Sequence, residues 1–536
     1  MSNIKESDKV NNLQERIKNT RTLRILAIQQ GEKKLEKLEE ELRILPEKSE
    51  TVTYFGWPEL DETFDWTTFR ELLDKDEQGG HTLYHIKDPA KASYFGVSFN
   101  HHDPQNNIVF AVVGGRNIII ARFDDNKVAL SILQTYVDEN EGENYYCCAW
   151  SIDPNVGAPL LAVAGATGII KILNTSVGSA IKALTGHGGE VNEIKFHPRD
   201  PSLLFSASKD FSIRLWNLKT MQPVVVFGGD RGHREPVLSI DVHLTGDFLV
   251  SSGMDNAVKI WTLCTPIIKN TIESSYNSRS SPSHHCQKKK NCCSSHGTTP
   301  FPVIVHYPIF STAQLHNNFV DCVRWYGDLL MSRCAADAKI VLWKPDVELM
   351  AFDKSTVTSV VVGGPAVPSK IQSNFDIICE MEFEHCDIWF LRFGISYDYR
   401  MLATGNQAGQ IYIWDFQDIP HYIDYYIEKK KAEYSGTKKE KATKKKGSTS
   451  VANKKTSDKT DTLVSGSSSH VSESADIKKP IILESLSCES IIRQVDFSKD
   501  RQWIVAVCDD ASIWCWKDVG NKAIGNDAID GNSINH

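Results

Sequence analysis

The chain has 536 residues, 41% of them apolar, 9% aromatic and 24% charged, which is enough apolar side chain for several hundred residues of buried core. Its net charge of −8 is mild for this length and excludes the global basic field that nucleic-acid binding uses. The N-terminus has no apolar leader, and the longest apolar stretch, IVFAVVGGRNIIIARF, is interrupted by Gly114, Gly115, Arg116 and Asn117. Neither secretion nor membrane spanning is expected, and the protein reads as intracellular. Thirteen cysteines at irregular positions, such as Cys147, Cys148, Cys322 and Cys508, read as small buried apolar residues rather than a disulfide framework.

Residues 1–50 predict a charged helix in which Leu35, Leu38, Leu42 and Leu45 follow heptad spacing until Pro46 stops it. Two heptads do not require a coiled coil, and a solvated helix is the plainer reading. Residues 51–80 carry aromatics in FGWPEL and FDWTTFRELL and predict a short helix, so that 1–80 form a charged, partly helical N-terminal extension. HTLYHIKDP (81–89) then reads as a strand.

From residue 81 to 517 the chain repeats itself. The clearest copies are SASKDFSIRLW (206–216), SSGMDNAVKIW (251–261), RCAADAKIVLW (333–343) and VAVCDDASIWCW (505–516). In each, an Asp precedes the last Trp by six residues: Asp210 and Trp216, Asp255 and Trp261, Asp337 and Trp343, Asp510 and Trp516. Weaker copies end at Phe123, Leu173 and Trp414, which makes seven units. Each follows another short strand: YFGVSF, YYCCAW, VNEIKF, VLSIDV, VDCVRW, IWFLRF and IRQVDF. Short strands separated by turn residues at roughly forty-residue period predict an all-β, seven-bladed WD-repeat β-propeller.

Two units carry Gly186-His187 and Gly232-His233 before the first strand. With Ser206, Asp210 and Trp216, and with Ser251, Asp255 and Trp261, these histidines have the residue types of a catalytic triad. Recurrence at one repeat position argues instead for buried polar networks that lock blades, since an active site would be single. No strand signal follows the last repeat, so 81–89 is expected to supply the outer strand of the last blade and close the ring. Two insertions interrupt the propeller, and residues 518–536 form a flexible tail. Residues 275–300 hold His284, His285, Cys286, Cys292, Cys293 and His296, whose spacing fits no usual zinc pattern, and no metal is expected. Residues 428–479 are rich in Lys, Ser and Thr and predict disorder, as a solvated linker or as nuclear-import or nucleic-acid contacts.

Aligning the seven first strands on Phe99, Trp150, Phe196, Val242, Trp325, Phe393 and Phe497 and stepping back four gives Phe95, Tyr146, Asn192, Leu238, Asp321, Trp389 and Arg493. The innermost strand of each blade borders the channel, so these positions form a circle round one mouth. Ring closure makes blades six, seven, one and two consecutive, which gathers Trp389, Arg493, Phe95 and Tyr146 on one arc, with Phe390 beside them. Aromatic faces hold a quaternary ammonium, which keeps its charge but donates no hydrogen bond, at roughly 0.5 to 2 kcal/mol each. Ordinary core aromatics are the competing reading. If IWFLRF is a strand, Trp389 and Phe390 point to opposite faces and do not share one burial site.

The stretches LLAVAGATGIIKILN, GHGGEVNEIKFHPRDPSLLFSASKDFSIRLWN, NNFVDCVRWYGDLL, CDIWFLRF and VAVCDDASIW closely resemble the embryonic ectoderm development / extra sex combs family, the WD-repeat subunit of Polycomb repressive complex 2. The resemblance covers nearly all of 81–517. It implies a nuclear, non-enzymatic protein without cofactor, membrane contact or small-molecule substrate. Such a subunit scaffolds the Enhancer of zeste methyltransferase on one face, alongside the other subunits of the complex. On its other face it reads trimethyl-lysine on the histone three tail, stimulating methylation and transcriptional repression. By position it implies a cage of Phe95, Tyr146 and Phe390, with Trp389 on the aliphatic part of the lysine. Asn192, Lys209, Phe319, Asp321, Arg392 and Arg493 would line the peptide site. Animal members have Tyr where Phe390 and Phe319 stand, so two hydroxyls are absent. An interaction scaffold of another kind, such as a ubiquitin-ligase substrate receptor, is the alternative. An enzymatic propeller is disfavoured, because no isolated nucleophile and base, phosphate loop or metal set stands at useful spacing.

Overall fold

The computed structural model describes residues 59–60, 72–75, 81–87, 92–103, 108–124, 129–277, 302–347, 371–416, 479–483 and 488–518. Their strands form seven sheets of four or five strands, each a meander that starts at the channel and works outward. Blade one runs Tyr94–Phe99, Ile108–Gly114, Asn117–Asp124 and Ala129–Val137, and the others repeat this order. The middle strands, such as Phe248–Gly253 and Leu329–Cys334, are buried along their whole length because neighbouring blades cover both faces. That is why they read as continuous apolar runs rather than alternating ones.

The recurring Asp has a local cause. Asp210, Asp255 and Asp510 each accept the backbone N–H two residues ahead, from Ser212 (3.0 Å), Ala257 (3.2 Å) and Ser512 (3.2 Å). The residue between takes a left-handed backbone, at Phe211, Asn256 and Ala511, as Gly168 and Gly409 do in weaker copies. An Asx turn of this kind reverses the chain between second and third strands. The Trp that follows packs between blades: Trp216 joins blade-two residues such as Leu160 and Ile172, and Trp261 joins blade-three residues such as Leu203 and Phe205.

His187 contacts Asp210 (2.8 Å) and Ser206 (2.6 Å), and the Trp216 indole donates to the same Ser206 hydroxyl (2.8 Å). His233, Asp255, Ser251 and Trp261 repeat this wiring one blade on. A third set, His316, Asp337, Ser332 and Trp343, completes the same pattern in blade five. Sequence reading missed His316 because Leu315 rather than Gly precedes it. Cys334 lies near enough to His316 and Asp337 to resemble a metal trio, but those two are already joined at 3.0 Å within the repeat network.

His81–Lys87 pairs with Ser512–Asp518 over seven residues, so the start of the propeller supplies the outer strand of its last blade. A short helix was expected within 51–80, and the described residues of that stretch, 59–60 and 72–75, are strand instead. Leu72–Lys75 is a strand that pairs antiparallel with His81–Lys87 and covers what would be an open edge. Glu59–Leu60 likewise pairs with Ala129–Val137 on blade one. Helix Pro266–Asn277 reaches into the stretch read as the first insertion and is tied to blade three through Ser275 to Asn217 (2.7 Å) and Tyr276 to Asp200 (2.6 Å). The Leu35 to Leu45 heptad, the His284 to His296 cluster, the lysine-rich segment up to residue 478 and the tail beyond 518 lie outside the described residues. Ten described cysteines are free thiols, and all but Cys148 and Cys264 are buried.

Burial holds the His187 and His233 imidazoles below the usual histidine range despite their aspartate partners. Between the lowered folded value and about 6.5 the unfolded chain binds more protons, so stability rises with pH across that window and falls on acidification. Denaturant unfolding is therefore expected to show a lower midpoint at about pH 5.5 than at about pH 7.5, and a smaller drop for His233→Gln; equal midpoints would contradict it.

Candidate functional site

The first strands share an irregularity at one place. Pairing with the second strand slips by one residue between Tyr94 and Gly96, Tyr145 and Cys147, Val191 and Glu193, Val237 and Ser239, Val320 and Cys322, and Ile492 and Gln494. The residues left out are Phe95, Tyr146, Asn192, Leu238, Asp321 and Arg493, six of the seven positions that repeat alignment placed round the channel mouth. A β-bulge releases its extra residue from the ladder and bends the strand. The circle of side chains is thus a circle of bulges.

Blade six departs from the pattern and from expectation. IWFLRF is not a strand: only Gly394–Ile395 pairs with Met401–Gly405, and Arg392 makes a lone bridge to Gln494. Phe390 has φ +65°, a left-handed backbone uncommon for a bulky residue. The chain therefore turns between Trp389 and Leu391 instead of alternating. The two rings stay next to each other, 5.8 Å apart at 82°, yet differ in burial, Trp389 being 45% exposed and Phe390 5%.

Strain of this kind needs a support that overdetermines it. Arg333 supplies one: fully buried, it donates to the carbonyls of Cys386 (2.5 Å), Ile388 (2.8 Å) and Leu391 (3.4 Å) and pairs with the Asp321 carboxylate. Asp321 in turn accepts the Leu391 N–H at 3.2 Å. From the other side, Arg493 donates to the Trp389 carbonyl at 3.0 Å while Asp509 holds its Nε and Nη2 at 2.6 Å each. Neither Arg333 nor Asp509 was singled out from sequence. Their signals were an Arg inside the otherwise apolar strand Leu329–Cys334 and a doubled Asp at 509–510.

Phe95, Tyr146 and Phe390 form a corner of three walls. Their centroids are 5.5, 5.7 and 6.0 Å apart, and their planes meet at 89°, 84° and 68°. Trp389 extends the wall beyond Phe390. The Tyr146 phenol is pushed up by burial and by Glu190 and Glu143, so it stays a neutral hydroxyl. Of the remaining expected residues, Lys209 and Phe319 are exposed, and Lys209 pairs with Glu190 at 3.0 Å. Asn192, Asp321 and Arg392 were expected to line a peptide but lie buried. Asn192 donates to Val237 at 2.8 Å, Asp321 is spent on the loop, and Arg392 stacks beneath Phe390 while donating to the Asn192 carbonyl. These three support the site from below.

Removing one partner of a buried ion pair leaves the other uncompensated, a cost of about 3 to 5 kcal/mol. Arg333→Met is expected to lower stability by about that much in denaturant unfolding and to increase hydrogen exchange at 388–391. Unchanged exchange there would show that the loop holds itself.

The WD domain, G-beta repeat profile matches residues 178–217, 222–262 and 482–517. Polycomb protein esc of Drosophila virilis is 34% identical over 437 residues, covering 81% of this chain and 83% of that protein. Polycomb group protein FIE2 of Zea mays is 35% identical over 332 residues, covering 62% and 78%. Among solved structures, a Chaetomium thermophilum polycomb repressive complex 2 in complex with H3K27me3 and H3K27M contains a chain that matches with TM-score 0.58 and 23% identity, over 84% of this chain and 98% of that one. On the identity and coverage of the Drosophila protein, this chain belongs to the extra sex combs / embryonic ectoderm development family of WD-repeat Polycomb proteins.

Proposed function

We propose that this chain is the non-catalytic WD-repeat subunit of a polycomb repressive complex 2 and reads trimethyl-lysine on the histone three tail at Phe95, Tyr146, Phe390 and Trp389. One observation carries the reading: three rings from blades one, two and six meet at 68° to 89° with their centroids no more than 6.0 Å apart. A trimethylammonium in that corner meets several ring faces and has no N–H to satisfy, whereas an unmethylated ammonium would exchange water for ring faces that accept no ordinary hydrogen bond. Similarity to a chain of a complex solved with H3K27me3 supports the choice of ligand, and the Polycomb relatives support the nucleus as its place.

In this reading the opposite face holds an Enhancer of zeste-type methyltransferase. Occupancy of the cage favours its active arrangement, and by linkage the active arrangement tightens the cage. The chain itself supplies no chemistry. Its three described His, Ser and Asp sets are each capped by a tryptophan indole and serve the blades.

Phe95→Ala and Tyr146→Ala are each expected to weaken binding of a trimethylated histone three peptide by about tenfold or more, erasing preference over the unmodified peptide. Co-purification with the methyltransferase subunit should be unaffected. Both variants retaining the trimethyl preference in a calorimetric titration would refute the cage.

A further inference from the structure

Two rings of the corner already carry a cation. The Arg392 guanidinium carbon lies 4.4 Å from the Phe390 centroid, and that of Arg493 lies 5.8 Å from the Phe95 centroid. A second cation brought to such a ring meets repulsion from the first, so a corner backed by two uncompensated guanidinium groups would reject the charge it is meant to hold. The two guanidinium groups are compensated differently: Arg493 has a carboxylate of its own, whereas Arg392 shares one with Arg324. Glu193 approaches Arg392 at 3.9 Å, and although burial pushes Glu193 up, Arg324, Arg392 and Lys195 outweigh this and hold it at about 2. Asp509 serves Arg493 through two bonds of 2.6 Å, leaving Nη1 for the Trp389 carbonyl.

Asp509 is not required by the propeller. At the same repeat position, one residue before the recurring turn Asp, the other clear copies have Lys209, Met254 and Ala336. It is nevertheless fixed in place, its N–H donating to Ile491 (3.0 Å) and its carbonyl accepting the Ser93 hydroxyl (2.7 Å). With side chains only 13% and 25% exposed, the Arg493 and Asp509 pair is incompletely screened by salt.

We propose that Asp509 is a positioning and specificity-determining residue of the cage: it cancels the Arg493 charge behind Phe95, so that the corner selects a cation, and it directs the guanidinium onto Trp389. The proposal rests on the trimethyl-lysine reading above. Its signature is a change in preference between a charged and a neutral ligand of one shape, which a merely structural role would not produce.

The test titrates the full-length chain with two peptides, one bearing trimethyl-lysine and one bearing its neutral carbon isostere, in which a tert-butyl group replaces the trimethylammonium. Asp509→Asn is expected to lower the affinity ratio of charged to neutral peptide about tenfold while leaving the isostere within about twofold. Arg493→Gln, which leaves the carboxylate uncompensated, is expected to raise the ratio, giving a second readout of opposite sign if Asp509→Asn folds poorly. An equal loss for both peptides, an unchanged ratio in Asp509→Asn, or a lowered ratio in Arg493→Gln would overturn the proposal. A wild-type chain with no preference for trimethylated over unmodified peptide would overturn the cage reading itself, and this proposal with it.

Discussion

A β-bulge at the head of an innermost strand frees one side chain from the sheet and aims it at the channel mouth, and in this propeller that bulge occurs in six of seven blades. The core fixes which residues the blades bury, and it reaches the bulged position in blades three, four and five, where Asn192, Leu238 and Asp321 are buried. Asn, Leu, Asp and Arg occupy it in blades three, four, five and seven, while blades one and two present rings. Closure of the disc then sets Phe95 and Tyr146, from the first two blades, against the loop of blade six, far away in sequence. The corner of rings exists because the disc closes.

Along the channel the inner strands are braced by charge as well as by their ladders. Glu193 of blade three accepts the Ser239 hydroxyl (2.6 Å) and the Ile240 N–H (2.8 Å) of blade four and pairs with Arg324 of blade five at 2.7 Å. Asp241 reaches from blade four to the Trp325 N–H at 2.8 Å, and Asp496 from blade seven to the Phe99 N–H at 2.9 Å. Most of these links join inner strands of adjacent blades, the Glu193–Arg324 pair reaches from blade three to blade five, and Arg392 adds a span from blade six to the Asn192 carbonyl. The corner itself is held by Arg333, Asp321, Arg392 and Arg493, and a corner fixed in advance would lose little freedom on binding, which is how preorganisation raises affinity.

The blade count, the closing strand at 81–87 and the circle round the channel were legible because each rests on a repeat that one sequence displays against itself. The circle could be counted without knowing that bulges made it, since a bulge in every copy preserves the spacing to Phe99, Trp150 and their equivalents. Blade six was misread as a strand for the opposite reason: Phe390 takes a backbone conformation that Gly or Asn would have announced and Phe does not. Arg333 escaped notice because the carbonyls it holds lie more than fifty residues further on, Asp509 because the repeat assigns no partner to its position, and His316 because it lacks the usual Gly. Asn192 and Asp321 were placed by repeat alignment and Arg392 by resemblance alone, and both carry position but not depth.

NMR of a peptide whose trimethyl-lysine carries ¹³C-methyl groups tests enclosure by the three rings most directly. Aromatic faces shift protons held above them upfield, so saturation with the full-length chain should move the N-methyl signal upfield and give cross-relaxation to the rings of Phe95, Tyr146 and Phe390. A bound peptide whose N-methyl signal stays at its free position, with no contact to those rings, would contradict the site.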